Sequence, residues 1–122
     1  MSLPTQIELN QHLAAWDHDV REYRDALITY GRRKAELEYR RAVVKLAARD
    51  ADPKLSAAAA DVIAEADHEL YELHLAFRLV EGAVDGLRAR LRWFAAKADA
   101  LRSEVATERA EAQLYASNVG DA

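Results

Sequence analysis

The sequence has no cysteine, two prolines and four glycines in 122 residues, and each shortage removes a class of molecule. Without cysteine there is no disulfide framework, no thiol nucleophile and no cysteine-ligated zinc. So few prolines and glycines leave little material for the turns of a many-stranded sheet. No apolar run approaches the roughly 20 residues of a membrane-spanning helix. After Met1 the chain passes to polar Gln6, Glu8, Asn10 and Gln11 with no charged-then-apolar leader, so a soluble, cytoplasmic protein is expected. A net charge of −4 argues against general attraction to nucleic acid or anionic lipid and leaves only local basic patches.

What the chain does contain is 26 alanines, 31% charged and 51% hydrophobic residues, the composition of long helices and an all-α fold. Thr5 and Glu8 have the spacing of a capping box, which starts a first helix over about 5–49. Its apolar residues recur at steps of four and three as Leu9, Leu13, Trp16, Val20, Tyr23, Leu27, Tyr30, Leu37 and Val44, with Lys34 and Arg41 intruding. The strongest interior break is Asp50-Ala51-Asp52-Pro53, where Asp52 can cap and Pro53 can open a second helix over about 53–117. The second seam reads Ala59, Ile63, Ala66, Leu70, Leu73, Phe77, Val80, Val84, Leu87, Leu91, Phe94, Ala98, Leu101 and Val105 without a slip. A single domain, a long antiparallel two-helix hairpin of coiled-coil type, is expected.

Folding this hairpin about residue 50 sets Leu9 against Leu91, Tyr23 against Phe77, Tyr30 against Leu70 and Leu37 against Ile63. Lys34 and Arg41 then fall opposite Ala66 and Ala59. Charge agrees with an antiparallel arrangement. Residues 32–49 carry seven bases and two acids and come to lie beside Asp61, Glu65, Asp67 and Glu69. The acidic first block comes to lie near Arg78, Arg88, Arg90 and Arg92.

The second helix is the longer, so its seam beyond about residue 95, with Leu101, Val105 and Tyr115, is expected to overhang without an intrachain partner. Its opposite face carries a second uncharged stripe through Leu75, Leu79, Gly82, Gly86 and Trp93, whose small residues would let another backbone come close. These eight residues are the expected protein-interaction surface. The expected assembly is a homodimer or higher homo-oligomer with a four-helix core. A break at Gly82 or Gly86 would give a three-helix bundle instead, but the seven-residue pattern passes both positions unchanged.

No residue set amounts to a catalytic site or a cofactor site. Glu65 and His68 have the helical spacing of two metal ligands, yet they supply only half a site, and a solvated acidic face balancing nearby arginines explains them more simply. His12, His18, His68 and His74 are dispersed, and Gly82 and Gly86 sit in a helical pattern rather than in a phosphate-cradling loop. The strongest electrostatic feature is Arg32, Arg33, Arg40, Arg41, Lys45 and Arg49, candidates for phosphate contact. Against that stands the supply of acidic partners on the second helix.

Two stretches, Tyr30–Ala42 (YGRRKAELEYRRA) and Leu87–Leu101 followed by Ala106–Ala112, resemble small helical proteins of unknown function encoded by bacteriophages of actinobacteria. The resemblance spans roughly residues 25–116 and supplies no catalytic motif. It implies a role in the host cytoplasm during infection, as an accessory to replication or recombination proteins or as a binder of a host protein. The leading expectation is therefore a non-enzymatic, self-associating interaction module. The alternative is a nucleic-acid-associated accessory protein using the basic half of the first helix.

Overall fold

The structure, a computed structural model, describes residues 3–120 and contains no strand among them. The expected absence of a leader rests partly on Met1 and Ser2, and the expected single span includes Asp121 and Ala122; these four lie outside the described residues.

Helix α1 (Pro4–Ala51) starts one residue before the expected capping box. The Leu3 carbonyl accepts from the Ile7 amide (3.1 Å), and Pro4 takes the first helical position, where its missing N–H leaves nothing unsatisfied. Thr5 is thus already inside the first turn. Its hydroxyl donates to Glu108 instead of capping, so the capping box does not form.

Asp52 does not cap a second helix either. It closes α1 through its amide, which donates to the Ala48 carbonyl (3.0 Å), and then organises a turn. Its Oδ1 accepts from the Lys54 amide (3.2 Å) and its carbonyl from the Leu55 amide (3.0 Å), with Pro53 between them. The fixed φ of proline suits the second position of such a turn. Helix α2 (Ala57–Glu65) starts behind Ser56, whose hydroxyl accepts from the Ala59 amide (3.1 Å).

The continuous second helix expected over 53–117 is in fact two helices, and the opening lies at Ala66 and Asp67 rather than at a glycine. Helix α3 (His68–Gly120) passes through Gly82 and Gly86 unbroken. Asp67 produces the opening by capping α3, its Oδ2 accepting from the Leu70 amide at 2.9 Å. The Asp67 amide itself turns back to the Ala64 carbonyl (3.0 Å), a tighter three-residue closure at the end of α2.

Packing divides the chain into two compact units. In the first, α1 up to Glu22 packs with α3 from Leu87 onward around Leu9, Leu101 and Val105, with Leu13 against them. In the second, Tyr23–Gly86, all three helices meet around Leu37, Ala64 and Leu70, flanked by Val44, Leu73 and Phe77. Leu70, 1% exposed, is the only large side chain among the described residues that is fully buried.

The seam of α3 is the expected one, but its partners are displaced. Tyr30 packs on Phe77 (ring centroids 5.1 Å) rather than Leu70, and Leu37 packs on Leu70 rather than Ile63, each seven residues further along. Leu9 packs on Leu101 and Val105 rather than Leu91. The turn at Asp52–Leu55 places the reversal later than residue 50. A seam that repeats every seven residues looks the same after a shift of seven, so apolar spacing does not distinguish the two registers. Two corrections follow. Leu101 and Val105 do not overhang, being buried within the chain, and Ala98 is buried too. In α2 the inward residues are Ala60 and Ala64, while Ile63 and Ala66 of the expected seam are exposed.

Candidate protein-interaction surface

The polar pairs of the second unit account for most of the basic block. Lys45 reaches Asp61 (2.5 Å), Arg41 reaches Glu65 (3.8 Å), and Arg40 reaches Asp67 (3.0 Å) and Glu69 (3.2 Å). These are the four acids expected there from charge. Two parallel hydrogen bonds join Arg40 to Asp67, both 3.0 Å, the fork geometry that fixes direction as well as distance. The bond from Arg40, with the Leu70 amide second, holds the Asp67 carboxyl below its usual range, and Asp67 in turn raises the Arg40 guanidinium. Asp61 is lowered chiefly by its bond from Lys45, with the charge of Arg49 adding to it. Arg41 also donates to His74 Nε2 (2.8 Å), and Arg33 is tied to Glu36 within α1 (3.1 Å).

Of the six candidate phosphate-contacting residues, four are therefore engaged within the chain, and Arg32 and Arg49 lie exposed. Lys34 is exposed as well, not laid along the seam. Glu65 and His68 end on different helices, and His68 faces Glu72 (3.6 Å). Among the described residues no three histidine or acidic side chains are grouped to hold a metal ion.

The first unit holds polar residues that the apolar reading passed over. His12 is buried, with Nε2 donating to the Phe94 carbonyl (2.7 Å) and its ring packed on Phe94 (centroids 4.9 Å). Asp19 is buried one heptad further on. Arg90 covers it from solvent, Nη2 donating to Oδ1 (3.3 Å) and Nε lying 2.9 Å from Oδ2 but too far out of line to bond it. The available signal was position: residues 12 and 19 flank Leu9, Leu13, Trp16 and Val20 on one side at the same seven-residue spacing.

The outward faces carry large apolar side chains. In the second unit, α3 exposes Leu75 and, at 77%, Leu79, followed by Gly82 and Gly86. A methyl group added at either glycine would meet nothing within 4 Å, so no intrachain contact requires glycine there. In the first unit, Trp93 is 55% exposed, with its edge against His12 (centroids 5.6 Å) and the Lys97 ammonium 5.2 Å from its ring centre. The Lys97 ammonium also lies 3.9 Å from the Glu8 carboxylate. Leu114, Tyr115 and Val119 are exposed on the last turns of α3. Of the eight residues expected to meet a partner, six are thus open to solvent and two, Leu101 and Val105, are used inside the chain. One groove open to solvent is lined by Glu36, Tyr39, Arg40, Val43, Glu69 and Leu73. No helix among these residues is long and apolar enough to cross a membrane. No protein-family model, curated protein or solved structure matches the chain.

Proposed function

We propose that the chain is a non-enzymatic helical module that associates with further copies of itself through the outward face of α3. The observation that carries this reading is the uncovered run Leu75, Leu79, Gly82 and Gly86 on a helix whose opposite face is already filled. Exposed leucines beside glycines form a ledge on which a second helix can come close to the backbone, and desolvating the leucines is the driving force. Trp93 supplies the first unit with an anchor of the residue type that dominates interface energetics.

The glycines provide a test that separates folding from assembly. Gly82→Ala and Gly86→Ala fill open space, so each should stabilise the isolated chain by about 1 kcal/mol through helix propensity. The same methyl groups would hold a second helix off. Sedimentation velocity of the wild type at micromolar concentration should show a species larger than the monomer, weakened in the double alanine variant and abolished by Leu79→Glu. A wild type that sediments as a monomer would remove the proposal.

A further inference from the structure

We infer that the joint between α2 and α3 is a two-position helix, in which the Asp67–Arg40 fork latches an opened state and its release lets residues 57–120 join into one helix. This rests on the packing inside the second unit and does not depend on self-association.

Nothing in the local sequence forbids a continuous helix. Residues 57–70 contain no glycine and no proline, and no described residue, glycine included, has a positive φ. Ala66 is already in the right-handed helical region (φ −85°, ψ −6°), so the opening amounts to little more than Asp67. The apolar spacing also favours fusion, because Ala59, Ile63, Ala66 and Leu70 continue the α3 seam across the joint.

The opened state uses a different face. Ala60 and Ala64 are buried, one residue on from Ala59 and Ile63, which is a turn of about 100° for α2 around its own axis. Ile63 is left at the edge of a groove beside Val43, Val44 and Ala47, still 43% exposed, and Val62 is more exposed. What opposes their burial is charge. Asp67 caps Leu70 and receives both bonds of the Arg40 fork, and a turn of α2 by about 100° would also draw Asp61 from Lys45 and Glu65 from Arg41. Fusion recovers backbone bonds from His68 and Glu69 and buries Ile63, whereas opening keeps the carboxylate cap and the fork. Two arrangements that exchange apolar burial for ion pairing on the same scaffold are the elements of a switch. A partner reading Val62 and Ile63 would select the opened state.

The experiment is NMR on the full chain, with Leu9 and Leu101 signals as an internal check that the molecule is folded. In the wild type, Asp67 should show non-helical shifts and the Ile63 methyls should be open to a paramagnetic probe dissolved in the solvent. In Asp67→Ala, which removes cap and fork together, residues 64–70 should acquire continuous helical connectivities and the Ile63 methyls should become shielded from a paramagnetic probe dissolved in the solvent. Arg40→Met, which keeps the cap, should give a mixture of both. Adding Ile63→Glu to Asp67→Ala should reopen the joint, since the charge is harmless only where residue 63 faces water. A folded Asp67→Ala variant whose joint stays open, or a double variant indistinguishable from the single one, would overturn the inference.

Discussion

The two compact units use one seam but choose its register by different means. Around Leu37, Ala64 and Leu70, the register is set by opposite charges at the rim, Lys45–Asp61, Arg41–Glu65 and Arg40–Asp67. Around Leu9, Leu101 and Val105, it is set by polar groups turned inward, His12 to the Phe94 carbonyl and Asp19 to Arg90, with Thr5 bonded to Glu108 at the end. Shifting either seam by seven residues would keep apolar against apolar and lose every one of these pairs. Apolar periodicity therefore decides that the helices pair, and polar partners decide where. Rim ion pairs contribute little stability each, so their effect is selective rather than additive.

Truncating the two cores should give the largest response. Leu70→Ala should lower unfolding free energy by about 3–4 kcal/mol and Leu101→Ala by about 2–3 kcal/mol in urea titrations. Local hydrogen exchange should place the first loss in Tyr23–Gly86 and the second in the other unit. Equal loss of protection throughout after either change would mean that the units do not respond separately.

The inward pair comes next. Arg90 is largely exposed and Asp19 is not, so Arg90→Ala strands a buried carboxylate and should destabilise by about 1–2 kcal/mol. Asp19→Leu, which returns an arginine to water, should change stability by less than about 1 kcal/mol in either direction. Thermal melts of the two variants and their double mutant measure the difference.

Acid should act on the rim. The folded values of Asp61 and Asp67 are depressed, so their stabilisation is complete above the ordinary aspartate value near 3.9 and is lost as pH falls through the lower folded values. Below about pH 4, exchange protection should therefore fall first in the second unit, and Asp67→Asn should blunt that fall. Salt should have the smallest effect. At about 1 M ionic strength, where the screening length is about 3 Å, the same unit should lose slightly more protection than its neighbour.

Much of this architecture was legible in the sequence. The α3 seam from Leu70 to Val105, the reversal near Asp50, and the meeting of the basic block with Asp61, Glu65, Asp67 and Glu69 all follow from spacing and charge. The register did not follow, because a heptad pattern is blind to shifts of its own length. The joint at Asp67 did not follow because an apolar pattern continues across it, although an aspartate followed two residues later by Glu69 is a helix-start signal in its own right. A reversal at residue 50 leaves Leu101 and Val105 beyond the end of α1, whereas the observed register sets them against Leu9. Leu75, Leu79, Gly82 and Gly86 were legible as an outer face because they lie opposite the seam in either register, whereas Trp93 is met at its edge by His12 of α1.

One consequence of the His12 contact concerns where a hydrogen atom resides. A main-chain carbonyl offers only lone pairs, so the imidazole nitrogen 2.7 Å from the Phe94 oxygen must be the one that bears hydrogen. Nδ1 then carries the lone pair of the ring, and the Nε2–H bond ties the imidazole to α3. The imidazole holds its neighbour as a fixed rivet does, and nitrogen-15 shifts of the two ring positions would show that asymmetry directly.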